Sequence, residues 1–223
     1  MPRNARCVQP GLAYHVTQRG SNHERVFFTP SDYRLYLSLL HDNLADAEVR
    51  VQAYCLMPNH VHLVVLPDRE DSLAVLLRRV HGRYAQYVNT RRGRSGHLWQ
   101  ARFYSCPLSM KHQWSAIRYV EQNPCRALIV ANPGDYPWSS AAAHLTGAAD
   151  PSRLLDVPFW QDLVTGIEKP IVDRGFIKVP DSSGLGVTLN DDEVKRHLKP
   201  GTGYFESTPM WDEPQSWDDA VFS

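Results

Sequence analysis

Apolar positions along this chain follow two spacings, the two-residue period of strands and the i, i+3, i+4 spacing of helices. The first spacing, together with short apolar runs, predicts strands near 12–19, at 49–57, at 60–66 and at roughly 98–107. The second predicts helices from about Ser31 to Ala47, with Ser31 as the N-cap, and from about Ser72 to Thr90. Pro58 and Asn59 suit the central positions of a β-turn, so the strands on either side of them form a predicted hairpin.

A third helix is predicted over 111–123, ended by the proline that follows it, because proline disfavours helical geometry in the preceding residue. At about 100° per residue, Trp114 and Ile117 define the buried stripe of this helix. Tyr119 and Asn123 lie four residues apart on the side away from that stripe, so their side chains project together.

Strand, helix, hairpin, helix, strand is the order of a ferredoxin-like split β-α-β arrangement. We therefore predict an α+β fold of the ferredoxin-like type, with helices packed on a central antiparallel sheet. The pattern weakens beyond Gly147. We predict a domain over 1–147 and a C-terminal extension over 148–223, which begins with a small helix near 154–160. After about Lys178 glycine, proline and acidic residues dominate, which is typical of a partly disordered tail.

The charge of the chain divides at the same boundary. The 24 basic and 24 acidic side chains of the 223 residues cancel. Residues 1–147, however, hold 17 Lys and Arg against 10 Asp and Glu, and residues 148–223 hold 7 against 14. A basic body is the electrostatic pattern expected of a nucleic-acid-binding protein. Ordinary variation between a domain and its tail is the alternative explanation.

Hydropathy and cysteine spacing bear on where the protein works. No apolar run approaches the roughly 18 residues of a membrane span, and the first residues lack the core of a signal peptide. The four cysteines show no CxxC spacing and are predicted to be reduced packing residues. We therefore expect a cytoplasmic protein without a membrane partner.

The hairpin carries the first candidate chemistry. His60 and His62 lie two residues apart on a predicted strand, so they share one face while Val61, Leu63 and Val65 share the other. Two imidazoles on one face can hold a divalent cation, but they are fewer ligands than a metal site needs. A pair of histidines on a solvated strand face is the alternative.

The third helix carries the second half of a possible site. If its polar side packs against the histidine strand, Tyr119 would supply a nucleophile and Asn123 an amide oxygen as a third metal ligand. A single tyrosine is more often a half-buried aromatic with a hydrogen-bonded hydroxyl. The combination of the phenol, the amide and the two histidines favours an active site.

These motifs, in this order and spacing, resemble a known family. His60-Val61-His62 matches the HUH signature, and Tyr119 with Asn123 matches the tyrosine helix of single-tyrosine HUH transposases (IS200-like transposases). Further segments resemble the branch called REP-associated tyrosine transposases: 14–20 (YHVTQRG), 57–63 (MPNHVHL), 96–105 (GHLWQARFYS), 118–127 (RYVEQNPCRA) and 136–140 (YPWSS). The resemblance covers about residues 10–147. The Gly-Arg-Pro-Leu-Gly-like block that often follows in this branch is absent from the sequence.

The resemblance implies an HUH nuclease fold and a metal-dependent nuclease and strand transferase that acts on single-stranded DNA at hairpin-flanked, REP-type sequences. Tyr119 would attack the scissile phosphate and form a 5′-phosphotyrosine intermediate. His60, His62 and Asn123 would hold the cation. Two nitrogens and one amide oxygen suit Mg²⁺ or Mn²⁺, with zinc as the competing metal. No organic cofactor is expected, and a DNA enzyme of this kind would associate with the nucleoid.

DNA contacts are expected from arginines that lie near aromatic residues and from one segment that matches the family near its DNA-recognition region. The candidates are Arg19, Asn22, Arg78, Arg83, Arg91, Arg92, Arg102 and Arg118. Arg91, Arg92 and Arg94 are predicted to lie together in a loop. The alternative for any one arginine is a solvated surface charge. We assign His15, His41, His81 and His144 structural or surface roles.

Two other functions remain open. One is a sequence-specific hairpin-binding protein without catalysis, which would have no need of the Tyr119 set. The other is a zinc hydrolase that uses the HxH pair, although no Asp or Glu is placed nearby as a ligand or general base. The appended tail favours a monomer over a homodimer that exchanges tyrosine helices, as related insertion-sequence enzymes can.

Overall fold

The protein is described as a computed structural model over residues 8–155 and at 164–165, 172–173, 176–177 and 188–189. The body consists, in chain order, of β1 (Ala13–Arg19), α1 (Pro30–Ala47), β2 (Val49–Met57), β3 (His60–Pro67), α2 (Ser72–Arg92) and β4 (Tyr104–Leu108). It is followed by α3 (Met110–Glu121), α4 (Asn123–Arg126) and α5 (Ala141–Thr146). The remaining strands are β5 (Val164–Thr165), β6 (Val172–Asp173), β7 (Phe176–Ile177) and β8 (Thr188–Leu189).

The central sheet has the strand order β2-β3-β1-β4, and each neighbouring pair is antiparallel. This is the ferredoxin-like order, so the predicted fold class is confirmed. The predicted hairpin is also confirmed: β2 ends at Met57, β3 begins at His60, and the Pro58-Asn59 turn joins them.

Alternate side chains of the strands face different layers. One face packs against α1 and α2, where Val16, Val61 and Leu63 are fully buried together with Tyr36 and Leu77. This cluster is the main hydrophobic core. It also explains why β3 places His60 and His62 on the opposite face, because they alternate with Val61 and Leu63.

The opposite face packs against α3 over part of its area. Cys55 and Val64 are buried there with Ile117 and Val120 of the helix. Toward the Arg19 end of β1 the same face carries polar side chains instead. The sheet is therefore sealed on one side and partly open on the other.

The predicted cap of α1 is wrong. The helix begins at Pro30, and its N-cap is Thr29, with Ser31 inside the first turn. The Asp32 carboxylate accepts hydrogen bonds from the backbone N–H groups of Phe28 and Thr29, both at 2.8 Å. Proline at the first position and an acid at the third position fix the helix start at this point.

The predicted strand over 98–107 is too long, because β4 covers only its second half. The earlier residues do not continue the ladder with β1, although Gly20 and Trp99 form an isolated antiparallel bridge. They bond individually instead: the Gln100 N–H donates to the Arg19 carbonyl (2.9 Å), and the Trp99 indole N–H donates to the His81 carbonyl (3.1 Å).

The third helix differs from its prediction in the residue where it ends and in the residues that it buries. α3 ends at Glu121, and Asn123 opens the separate short helix α4. Trp114 is 60% exposed, whereas Ile117 and Val120 are buried. The sheet therefore contacts the sector around Ile117 and Val120, and the expectation that Trp114 belongs to the buried stripe is wrong.

The C-terminal extension is described only in part. Leu154 is buried, and Leu155 forms a parallel bridge to Val51 of β2. β5 pairs with β8, and β6 pairs with β7. The predicted helix near 154–160 and the predicted tail after Lys178 lie mainly outside the described residues. Among the helices that are described, none has the length and apolar character to cross a membrane.

Candidate active site and nucleic-acid interface

The two histidines of β3 lie together on the partly open face of the sheet. The ring centroids of His60 and His62 are 4.8 Å apart, and the rings are nearly perpendicular. Arg19 and Thr17 of β1 pair with them across the sheet. The predicted common face is thus confirmed.

The ring of His60 is oriented by the turn that precedes it. Its Nδ1–H donates to the Oδ1 of Asn59 at 2.6 Å, since an amide oxygen can only accept. The Asn59 amide is fixed in turn, because its Nδ2 donates to the His23 carbonyl (3.1 Å). This tautomer leaves the Nε2 lone pair of His60 available to a ligand.

Both histidines are neutral at pH 7. Burial lowers the pKa of His60 to about 4, with a further contribution from the charge of Arg19. Burial also lowers the pKa of His62 to about 3, assisted by His60, His15 and Arg19. Neutral imidazole is the form that binds a metal ion.

Tyr119 of α3 lies beside His62. Its ring centroid is 6.0 Å from that of His62, in an edge-on arrangement, and the side chain is 41% exposed. On the ring of Tyr119 lies the guanidinium of Arg126 from α4, with Cζ 4.7 Å from the ring centroid. The structure therefore brings the predicted nucleophile and one predicted metal ligand together within a single chain.

Asn123 lies at the start of α4, just beyond the end of α3, which carries Tyr119. Its Nδ2 donates to the Tyr119 carbonyl at 2.9 Å and lies 3.4 Å from the Val120 carbonyl. The amide nitrogen is thereby turned to the backbone, so Oδ1 is the atom that is left for another partner.

Hydrogen bonds hold α3 to the sheet near both of its ends. Near the start, Gln113 donates to the side chain of Gln52 on β2 (2.9 Å). At the end, Glu121 accepts from Ser140 (2.5 Å), and Ser140 in turn accepts from the Tyr54 N–H of β2 (3.0 Å). These bonds fix Tyr119 relative to the histidine strand.

One member of this cluster, His15, was not predicted from the sequence, which indicated a structural or surface role for it. His15 lies on β1, two residues before Thr17, the Cα partner of His62. Its Nε2 is 3.0 Å from Nδ1 of His62, and the two rings stack with centroids 5.2 Å apart. Its ring also meets that of Tyr119 edge-on at 5.9 Å. The two-residue spacing of His15, Thr17 and Arg19 was visible in the sequence, but the pairing of β1 with β3 was not.

Two predicted DNA contacts, Arg19 and Asn22, lie at the histidine end of the sheet. Asn22 has a left-handed backbone (φ 52°) in the 3-10 turn that follows β1. The turn is attached to the hairpin through the Gly20 N–H, which donates to the Asn59 carbonyl (2.9 Å). A Cβ on Gly20 would lie 2.4 Å from the Glu24 carbonyl oxygen, so only glycine fits there.

Arg102 and Arg118 lie on the elements that border this end. Arg102 is exposed in the segment before β4, and Arg118 is exposed on α3 beside Tyr119. Arg19 pairs with His60 across the sheet, so its positive charge lies at the histidine end of the open face.

The predicted contacts Arg78, Arg83, Arg91 and Arg92 lie instead on α2, on the far side of the sheet from the histidines. The last two form the final turn of the helix, so their predicted loop position is wrong. Arg91 donates to the Tyr87 hydroxyl (2.5 Å) and lies 3.6 Å from Asp32. Arg92 stacks on Phe28, with Cζ 3.9 Å from the ring centroid. Arg94, from the same predicted cluster, pairs with Glu24 (3.1 Å).

The donor set determines which cation this cluster fits. In the part of the chain that is described, no three His, Cys, Asp or Glu side chains are grouped as metal ligands. The nitrogen donors on the open face are the imidazoles of His60 and His62, and the predicted third ligand, Asn123, has its Oδ1 free of the backbone bonds that its amide nitrogen makes. Two neutral imidazoles beside an open face fit a divalent ion that keeps water or phosphate in its remaining positions.

Comparison with known proteins identifies the family and the fold. Residues 8–123 match the family model described as transposase IS200 like. The fold is similar to that of a REP-associated tyrosine transposase solved bound to a REP hairpin, with 18% sequence identity, a TM-score of 0.54, and coverage of 65% of this chain and 85% of the other. A candidate transposase from Deinococcus radiodurans R1 matches with 17% identity and a TM-score of 0.38 over 54% of this chain and 97% of the other. No curated protein matches the sequence.

Proposed function

Because the chain belongs to the family of IS200-like transposases, we propose that it cuts and rejoins single-stranded DNA through a covalent link to Tyr119. The observation that carries this proposal is the approach of the Tyr119 ring to within 6.0 Å of the His62 ring in the same chain. A phenol that is exposed beside neutral imidazoles, on an open sheet face, can reach a phosphodiester.

In this proposal His60, His62 and Asn123 hold a divalent cation, Mg²⁺ or Mn²⁺. Such an ion, when bound, polarises a non-bridging oxygen of the scissile phosphate and stabilises the charge that develops there. The Asn59 side chain keeps Nε2 of His60 free for this role, because it accepts the Nδ1–H.

The chemical step is a transesterification. The Tyr119 oxygen forms a bond to phosphorus while the bond from phosphorus to the 3′-oxygen breaks. The phenol loses its proton, and the departing 3′-oxygen gains one. The products are a 5′-phosphotyrosine and a free 3′-hydroxyl, and the covalent link retains the energy needed for rejoining.

DNA would enter along the open face. Arg19 and Asn22 lie at the histidine end of this face, and we propose that they contact the strand next to the scissile phosphate, together with the exposed Arg102 and Arg118. Arg78, Arg83, Arg91 and Arg92 would reach only DNA that continues to the α2 side of the sheet. The preference for hairpins is supported by the similar fold that was solved with a REP hairpin.

The site is built from one chain, which supports action as a monomer. Tyr119 and its histidine partners belong to the same fold, and α3 is bonded to its own sheet. Light scattering during gel filtration would give the mass. A stable dimer that exchanges α3 would contradict this part of the proposal.

The test is incubation with labelled single-stranded hairpin DNA and Mn²⁺, followed by a denaturing gel. We expect a covalent protein–DNA band that disappears in Tyr119→Phe and on addition of a chelator. Tyr87→Phe is the matched control, since it removes a hydroxyl from a tyrosine of α2, on the far side of the sheet from the histidines, and should leave the band unchanged.

The alternatives give other results in the same experiment. A gel shift without any covalent band would overturn the proposal in favour of a hairpin-binding protein. Hydrolysis that persists in Tyr119→Phe would overturn it in favour of a metal hydrolase that uses the histidines alone.

A further inference from the structure

We propose that His15 is a positioning residue that sets the tautomer of His62. This inference rests on the proposed function, because it concerns how His62 presents a nitrogen to the cation. The carrying observation is the 3.0 Å contact between Nε2 of His15 and Nδ1 of His62.

The 3.0 Å contact joins two ring nitrogens, so one of them carries the shared hydrogen and the other accepts it. If His15 donates, Nδ1 of His62 is occupied as an acceptor and Nε2 carries the ring hydrogen, so His62 has no lone pair for a metal. If His62 donates, its Nε2 lone pair is free. Only the second arrangement is compatible with His62 as a ligand.

The arrangement repeats what Asn59 does for His60. In each case a neighbouring acceptor takes the Nδ1–H and leaves Nε2 for the cation. Hydrogen bonds to the ring nitrogen that does not bind the metal orient metal-binding histidines and contribute to the affinity of the site for the ion. An imidazole acceptor suits the position of His15, because a carboxylate there would place a second negative charge beside the phosphate.

His15 is held rigidly enough for this role. It lies in the middle of the sheet, with Val64 and Cys106 as its Cα partners on the two neighbouring strands. Its ring stacks on His62 at an interplanar angle of 16° and meets Tyr119 edge-on. A shift of this ring would therefore disturb both the ligand and the nucleophile.

The test distinguishes loss of the hydrogen-bond acceptor at position 15 from loss of the aromatic ring. His15→Phe keeps an aromatic ring against His62 and Tyr119 but removes the acceptor. His15→Gln restores an acceptor oxygen near the position of Nε2. His41→Phe, at an exposed histidine of α1, is the control for the chemical change itself.

Two readouts do not depend on catalysis. Long-range ¹H–¹⁵N spectra of the metal-free protein should show Nδ1–H at His62 in the wild type and a mixture of tautomers in His15→Phe. Mn²⁺ affinity, measured by calorimetry or spin resonance, should fall about 10- to 100-fold in His15→Phe. It should recover in large part in His15→Gln and stay unchanged in His41→Phe.

An unchanged tautomer and unchanged Mn²⁺ affinity in His15→Phe would overturn the inference. Failure of the proposed function has a different signature. In that case the wild type forms no covalent DNA adduct, whatever the effect of His15 on the metal.

A second inference comes from a different observation, the exposure of Tyr104. We propose that its ring is a stacking platform for a nucleobase beside the scissile phosphate, an inference that also depends on the proposed function. Tyr104 pairs with Thr17, which pairs with His62, so all three side chains share one sheet face. The ring lies on the edge strand β4 and is 61% exposed.

An exposed aromatic ring beside a phosphate-binding site suits single-stranded DNA. Bases of a single strand are available for stacking on aromatic side chains, and such stacking tolerates any base because every base has a π-face. Tyr104 would thus position the strand without reading its sequence. Its hydroxyl plays no part, which separates this role from a hydrogen-bonding one.

Single-strand affinity, measured in a Tyr119→Phe background to prevent covalent capture, tests this role. Tyr104→Ala should weaken binding about tenfold, the loss expected for one stacked base, and Tyr104→Phe should leave it unchanged. A 2-aminopurine placed next to the cleavage site should be quenched in the parent protein and regain fluorescence in Tyr104→Ala.

Equal affinity and equal quenching in Tyr104→Ala would overturn the stacking role. An absence of any single-strand binding by the parent protein would instead overturn the proposed function.

Discussion

The two faces of the central sheet are built from the same strands but differ in what covers them. On one face α1 and α2 seal a core in which Leu63 and Tyr36 are fully buried. On the other, α3 covers only part of the area, and His15, His60 and His62 gather next to the exposed Tyr119. Because adjacent residues of β3 serve opposite faces, stability and chemistry can be changed separately by substitutions one position apart.

Tyr119→Phe should give the largest effect, and it should be confined to the open face. We expect the covalent DNA product to fall by more than about a thousandfold, because a benzene ring cannot attack phosphorus. The free energy of unfolding should change by less than about 0.5 kcal/mol, since the side chain is partly exposed. Gel assays and urea unfolding give the two quantities. A large loss of stability would show that the faces are not independent.

Leu63→Ala should show the reverse behaviour on the sealed face. Removal of a fully buried leucine leaves a cavity and should lower the free energy of unfolding by roughly 3 kcal/mol. Below the denaturation range, the folded protein should still form the Tyr119 adduct at a similar rate. If adduct formation falls while the protein stays folded, the core must be coupled to the site.

The pH dependence of stability should reveal a buried histidine on the sealed face. Burial lowers the pKa of His81 to about 3, and its Nε2 lies 2.9 Å from the Tyr36 hydroxyl. The unfolded chain therefore binds this proton more readily than the folded protein. Stability is complete above about pH 6.5, the unfolded value, and falls as the pH drops toward the folded value.

Protonation of His81 in the unfolded chain should by itself lower the free energy of unfolding by up to about 2 kcal/mol as the pH falls from 7 to 5. In His81→Gln the loss over this range should be smaller by that amount, as measured by urea unfolding at each pH. The same loss in both proteins would show that His81 does not contribute. His60 and His62 are present in both, so their titration cancels.

The smallest expected effect is on DNA affinity, measured for arginines on the two faces of the sheet. Arg19→Ala should weaken binding to single-stranded DNA several-fold and reduce the slope of log affinity against log salt by about 0.7, the value for one lost phosphate contact. Arg83→Ala, on the exposed side of α2, should leave the slope unchanged. Fluorescence anisotropy over a salt series measures both. A larger effect of Arg83 would place the DNA on the α2 side.

Local patterns in the sequence predicted the elements that local rules determine. The hairpin was predicted to within a residue because strand alternation and the Pro58-Asn59 turn agree, and the common face of His60 and His62 follows from the same alternation. The cap at Thr29 was also present in the sequence, as a proline followed by an acid two positions later. It was missed only because Ser31 is a good cap residue in isolation.

What depends on long-range packing was not predicted. The pairing register between β1 and β3 brings His15 to His62, and no local pattern gives that register. The orientation of α3 on the sheet leaves Trp114 outside, although its spacing from Ile117 is helical. The arginines of α2 were predicted as DNA contacts because they lie near aromatic residues in the sequence, whereas the layer order of the fold places them on the far side of the sheet from the histidines.

The attachment of α3 at Gln113 and Glu121 has a consequence for the path of the DNA. A 5′ end joined to Tyr119 would stay beside the histidines, because α3, which carries Tyr119, is hydrogen-bonded to the sheet that carries the histidines. The free 3′ end has no such tether. Strand exchange would then require only that one free 3′ end dissociates and another binds, while the 5′ end stays in place on the protein.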